Sequence, residues 1–210
     1  MISSSADRRT LLRLLFAGAL GLGWCRSAAA SEVTTPVEQL YAGLTAIMKA
    51  GKNVSFHQRF EIIAPVIGRT FDLEAILRQV VGPRWVSLAS ERQAALADAF
   101  RRYTVASYVA NFDSYSGQHF DISPAVRAVG NDRVVETRIA TPAGKGYALD
   151  YLMRQENGGW KVVDVLAEGS ISRVASQRSE MRSLLADGSG TGLLVSLRQK
   201  TAELSGGIVQ

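Results

Sequence analysis

Residues 146–167 read GYALDYLMRQENGGWKVVDVLA, two runs of alternating character that meet at Asn157-Gly158. Successive side chains of a strand point to opposite faces. Tyr147, Leu149, Tyr151 and Met153 therefore share one face, and Ala148, Asp150, Leu152 and Arg154 share the other. Asn-Gly between two such runs signals a two-residue hairpin, because a type I′ turn needs positive φ at both central positions. The second run alternates less cleanly. Trp160, Val162 and Leu166 fall on one face, Val163, Val165 and Ala167 on the other, with Lys161 and Asp164 its only charges. A strand apolar on both faces is expected to be covered on both.

Moving toward the N-terminus, the period of two persists back to Gly117. Runs near 118–129 and 132–141 are set off by Gly130-Asn131 and Pro142-Ala143-Gly144. Loops this short join antiparallel neighbours, which gives a four-stranded meander. On its second strand Val135, Thr137 and Ile139 line one side. Before Gly117 the period is helical. Val37, Leu40, Tyr41, Leu44, Ile47 and Met48 mark a helix from Pro36 to Met48. Ser55 and Gln58 form a capping box before Phe60, Ile63 and Ile67, and Pro65 is expected to kink or shorten that helix. Phe71 to Val81 is a third helix, stopped at Gly82-Pro83. A second capping box, Ser90 with Gln93, opens a helix over about 91–115 whose stripe runs through Leu96, Phe100, Tyr103, Ser107, Tyr108, Phe112 and Tyr115. After the meander, Ser170 is expected to cap a helix over 171–185, and a last helix covers 191–204. Helices, then a meander, then helices describe an α+β fold with the helices packed on the sheet, and the apolar side chains between them form either one solid core or the lining of an apolar cavity, which periodicity alone does not separate.

Residues 1–30 are expected to lie outside that fold. Arg8, Arg9 and Arg13 form a basic n-region, Leu14 to Trp24 a short apolar run, and Ala28-Ala29-Ala30 a small-residue cleavage site. The run is about half the ~20 residues that span a bilayer. Asp7-Arg8-Arg9-Thr10-Leu11-Leu12 resembles a twin-arginine export signal. Cleavage leaves residues 31–210 as one domain in the periplasm. Residues 1–30 hold four of the 24 basic residues and one of the 19 acidic ones, leaving 20 against 18. A chain so nearly balanced carries no nucleic-acid footprint. Cys25, the single cysteine, leaves with the signal, which excludes disulfides, cysteine–metal sites and a cysteine nucleophile.

Motifs for chemistry are sparse. His57 and His119 stand in no metal-ligand spacing, and the sequence has no G-x-S-x-G, H-E-x-x-H or P-loop pattern. Gly188-Ser189-Gly190-Thr191-Gly192 follows a helix rather than a strand, so it reads as a helix–helix turn with Gly188 in the left-handed cap position. Asp150 and Asp164 lie on adjacent strands and are the one candidate acid/base pair, although Arg154 and Lys161 beside them favour ion pairing. Arg173, Arg178, Arg182, Arg198 and Lys200 alternate with Ser, Gln and Glu as a solvated helix face. No metal, cofactor or nucleic acid is implied.

Several stretches resemble the MlaC/toluene-tolerance family. They are Phe71-Asp72-Leu73-Glu74-Ala75-Ile76-Leu77-Arg78 with Gly82 and Trp85, then Ser90-Glu91-Arg92-Gln93 with Phe100 and Tyr108, and finally Gly158-Gly159-Trp160-Lys161-Val162 through Gly169-Ser170. They follow the family order over nearly the whole of residues 31–210. The continuation Gly169-Ser170-Ile171-Ser172, with Gln177-Arg178-Ser179-Glu180, is similar to the hopanoid-associated HpnM branch. The resemblance implies a periplasmic lipid carrier, not an enzyme. Its cargo would be hopanoid or phospholipid, and its partners an inner-membrane ABC transporter complex and an outer-membrane component or hopanoid transporter. A monomer is expected. On this reading Val135, Ile139, Leu149, Tyr151, Met153, Val163 and Val165 line the cavity from the sheet, and Ile76, Val80, Phe100, Tyr103 and Tyr108 from the helices. Tyr108 and Tyr151 would offer hydroxyls to a polar head. Two rivals stand beside it: a small α+β enzyme using Asp150 or Asp164 as base on an apolar substrate, and a periplasmic adaptor with a filled core.

Overall fold

The structure, a computed structural model, describes residues 24–142 and 144–209. The basic n-region and all of the apolar run before Trp24 lie outside the described residues. Helix α1 spans Trp24–Ala50, and its Val37, Leu40, Leu44 and Ile47 are fully buried, one every third or fourth residue. Helix α2, Phe56–Thr70, opens on the expected capping box: the Gln58 N–H donates to Ser55 Oγ and the Ser55 N–H to Gln58 Oε1. Pro65 does not shorten it. The carbonyl that Pro65 leaves without its helical partner belongs to Glu61, and both residues face solvent, where water replaces the lost bond.

Helix α3, Leu73–Val81, is capped by Asp72, whose Oδ1 accepts from the Ala75 N–H at 2.9 Å. A 3₁₀ segment, Gly82–Ser87, leads to α4, Ser90–Asn111. Ser90 is no cap. It is already the first helical residue, and the Gln93 side chain instead donates back to the carbonyls of Trp85 and Leu88. Helix α4 also stops four residues short of Tyr115, which is exposed under the Lys49 ammonium.

The meander consists of β1 (His119–Val129), β2 (Asp132–Ala140), β3 (Gly146–Glu156) and β4 (Gly159–Ala167), antiparallel and in chain order. A two-residue fifth strand, β5 (Ile171–Ser172), pairs back on β4. Asn157 and Gly158 take φ of 46° and 83°, as the hairpin turn between β3 and β4 requires. Strand β1 bulges between Ile122 and Val126, around Pro124. Helix α5 spans Arg173–Met181, a 3₁₀ turn follows at Ser183–Leu185, and α6 covers Thr191–Ser205. No described helix is long and apolar enough to cross a membrane.

The irregular pattern of β4 comes from a bulge. Met153 pairs with Val162, but Leu152 pairs with Asp164, so Val163 is an extra residue. Pairing then runs Gln155–Trp160, Met153–Val162, Tyr151–Val165 and Leu149–Ala167. Cross-strand partners share a face, so Trp160, Val162, Val165 and Ala167 all point to the helix side. The bulge changes the parity halfway along the strand. Ser170 likewise loses its expected role: Glu168, Gly169 and Ser170 form the turn between β4 and β5, and Ser172 is the N-cap of α5, accepting from the Ala175 N–H.

Candidate functional site

Between the helix face of the sheet and helices α3, α4 and α5 lies a cavity of about 300 Å³, at the small end of the ~300–1,000 Å³ range of ligand sites. The sheet contributes Leu149, Tyr151 and Val165, and α3 contributes Leu73 and Ile76 after Phe71. Phe100, Tyr103, Ser107, Tyr108 and Phe112 come from α4 and its end, and Arg173, Val174 and Gln177 from α5. The cavity reaches the surface where Asn111 and Arg173 are exposed.

Seven of the residues assigned to the cavity from sequence meet there: Ile76, Phe100, Tyr103, Tyr108, Leu149, Tyr151 and Val165. Five do not. Val135 lies in solid core under α1, which crosses β2 at the bond between Tyr41 and Thr137. Met153 is sealed by the α2–α3 junction, where Phe71 bridges to Val162 and the Asp72 N–H donates to the Val162 carbonyl. Val163 is the bulge residue. Ile139 sits at the open end of the sheet between Phe120 and Tyr147, and Val80 faces a different groove on α3. Sequence reasoning missed Phe71, Leu73 and Phe112, although all three were visible in helical stripes. It also missed Val174 and Gln177, hidden in a helix that reads as polar.

Six rings form a continuous chain around the cavity. Phe71 meets Tyr108 at 5.7 Å, Tyr108 stacks on Phe112 at 5.9 Å, and Phe112 meets Phe120 at 6.2 Å. Phe120 stacks on Tyr41 at 4.3 Å, and Tyr41 meets Tyr151 edge-on at 5.9 Å. Such offset and edge contacts are each worth ~0.5–1.5 kcal/mol beyond the area they bury.

The hydroxyls divide into committed and free. Thr137 donates its single proton to the Leu149 carbonyl, so Tyr41 must donate to Thr137. Tyr151 then donates to Tyr41, and its pKa is pushed up by burial, by the neighbouring Tyr108 and Tyr41 rings and by that donation. The Tyr151 hydroxyl is therefore turned away from the cavity its ring lines. Tyr108 differs. Burial raises its pKa well above the usual phenol range, with Tyr41 adding and Arg173 opposing, and its hydroxyl bonds to no other described residue.

Asp164 touches the cavity, but its carboxylate is occupied. It accepts from the Val165 N–H at 2.8 Å, the Val174 N–H at 3.1 Å and Ser172 Oγ at 2.5 Å, tying β4 to the first turn of α5. Asp150 points to the other face of the sheet, where Gly169 passes over it, and does not line the cavity. The two carboxylates do not converge on a common space. Among the described residues no group of three or more His, Cys, Asp and Glu is placed to hold a metal. Arg173, in no ion pair among the described residues, is the one cationic group on the wall.

An antiparallel sheet and helices enclosing an aromatic-walled cavity define a small α+β protein of the ligand-binding class. The chain belongs to the MlaC protein family, whose pattern matches residues 38–199. A solved phospholipid-binding protein from Ralstonia solanacearum, in complex with a phospholipid, superposes with a TM-score of 0.71 at 20% identity. The match covers 83% of this chain and 99% of that one, and at this identity it establishes the fold. No curated protein matches the chain.

Proposed function

We infer that the protein is a periplasmic lipid carrier, exported by the signal in residues 1–30, with residues 31–210 as the carrying domain. The observation that carries this reading is the cavity, apolar on most of its wall, with two hydroxyls, Tyr103 and Tyr108, that bond to no other described residue, and one cation, Arg173, in no ion pair among the described residues. Family membership and the phospholipid-binding structural neighbour support lipid as the ligand class. Each buried methylene contributes ~0.8 kcal/mol, so ten of them supply about 8 kcal/mol before ordering costs, enough for micromolar retention without any covalent step.

The cargo is a hopanoid or a phospholipid, and the Gly169 to Glu180 segment favours the hopanoid. The carrier hands it between an inner-membrane transporter and an outer-membrane acceptor as a monomer. With about 300 Å³ available, the cavity holds part of such a molecule and widens to take the rest. Organic extraction of the purified chain, with native mass spectrometry, tests this reading. A stoichiometric lipid or hopanoid is expected. A chain that elutes empty from lipid-replete cells and takes up none from vesicles would sink it. The enzyme reading loses its base, because Asp164 is held by three donors and Asp150 faces away.

A further inference from the structure

A second groove, about 320 Å³, runs between α3, the 3₁₀ segment after it and the far side of α5. Its floor is apolar, made by the buried Val80, Val81 and Leu185. Its rim carries Arg84, Arg178 and Arg182, with no carboxylate in the lining. None of the three is in an ion pair among the described residues. Residues 31–210 are almost charge-balanced, so three unpaired guanidiniums around one depression do not follow from general basicity.

Two of them are placed by contacts. Arg84 donates one Nη1 bond to the Leu185 carbonyl at 2.7 Å, and its other N–H groups bond to no described residue. Arg178 lies over Gly82, where a Cβ would come within 3.1 Å of its Nη2. Gly82 also has φ of 70°, a conformation that glycine adopts without steric cost. Val174 and Gln177 of α5 face the aromatic cavity while Arg178 and Arg182 face this groove, so the helix separates two sites.

We propose that the Arg84–Arg178–Arg182 groove is a binding site for a phosphoryl group. Guanidinium forks match phosphate oxygens in geometry as well as charge, and a cluster of three neutralises a phosphate mono- or dianion. The apolar floor and the neighbouring Val86, 85% exposed beside Arg84, suit a phosphate that arrives with hydrocarbon attached, as the headgroup of a lipid surface. A free phosphate or soluble phosphoester presents the same oxygens without the hydrocarbon.

The test uses the purified chain, inorganic phosphate followed by calorimetry or amide shifts, and vesicle pelleting. Pure phosphatidylcholine vesicles are compared with vesicles containing a third phosphatidylglycerol. The chain is expected to pellet with the anionic vesicles, less so as salt is raised, and to be competed by phosphate. The double variant R178Q/R182Q should weaken binding by about tenfold or more, with an unchanged circular dichroism spectrum. Loss of vesicle binding but not phosphate binding in V86S assigns the site to a lipid surface. Phosphate binding with no vesicle pelleting assigns it to a soluble phosphate. Wild-type binding of both probes by R178Q/R182Q, or binding of neither by the folded wild-type chain, overturns the proposal. Either failure leaves the aromatic cavity and its cargo untouched.

Discussion

Tyr41 shows how much depends on a single hydroxyl. It accepts from Tyr151 and donates to Thr137, which donates to the Leu149 carbonyl, so one proton direction runs through four residues on three elements. Tyr41→Phe leaves the ring stacked on Phe120 but strands the Tyr151 donor in a buried position. The expected loss is about 1–3 kcal/mol in urea denaturation. Asp150 works in the opposite direction. Burial raises its pKa, Glu136 adds to the rise, and Arg127 and the Thr137 N–H oppose it. A carboxyl whose folded pKa lies above its unfolded one contributes stability below the unfolded value, and that contribution is lost as pH rises through the folded value. Asp150→Asn is therefore expected to raise Tm at pH 7, with the gain closing as pH falls through the raised folded value and gone below the unfolded value of ~3.9. A Tm difference that does not change between pH 7 and pH 3 would contradict this. Lipid content should be unaltered, since Asp150 does not line the cavity.

At the scale of elements, the four long strands were legible almost to the residue, because turn chemistry at Gly130-Asn131 and Asn157-Gly158 fixes two of the junctions, and Gly117 and Pro142-Ala143-Gly144 mark the start of the meander and its middle turn. Helix ends were harder. Ser55 with Gln58 forms the capping box that its spacing suggests, while Ser90 with Gln93 has the same spacing and does not, because Ala89 occupies the cap. The decisive feature of β4 is invisible to any pattern of fixed period. A bulge adds one residue and exchanges the two faces beyond it, so an alternation that looks broken is regular on either side of Val163. Deleting Val163 should therefore leave Val165 opposite Tyr151 and Val162 opposite Met153. The shortened chain is expected to fold cooperatively, at a cost of about 1.5–3 kcal/mol for one buried valine. A chain that fails to fold would show the bulge to be required for closing the sheet over the helices.

For the whole molecule, the class of fold could be read from the order of helices and strands, while an apolar cavity was implied only by the family resemblance. The exact wall could not, because burial alone does not separate core from cavity. Val135 and Tyr151 are cross-strand neighbours, both almost wholly buried, yet only Tyr151 borders the empty space. What decides this is where helices cross the sheet, a long-range property that no local period encodes. Ser107 tests the volume directly. Its hydroxyl donates to the Tyr103 carbonyl within its own helix, and its side chain borders the cavity. Ser107→Phe is expected to fill that space, lowering co-purified lipid at least several-fold while circular dichroism stays unchanged. Undiminished lipid in S107F would move the binding site elsewhere.

The bulge around Pro124 and the brevity of β5 matter beyond the shape of one sheet. Along β1, pairing stops after Ile122 and resumes at Val126, with a proline that has no N–H to offer in the gap. On the other side the sheet ends after two residues and the chain turns at once into α5. Neither border offers another polypeptide a long, flat row of donors and acceptors. Sheet-to-sheet pairing, the usual hazard of exposed strand edges, is therefore disfavoured at both borders, by the Pro124 bulge in β1 and by β5 together with the Phe71–Val162 bridge along β4.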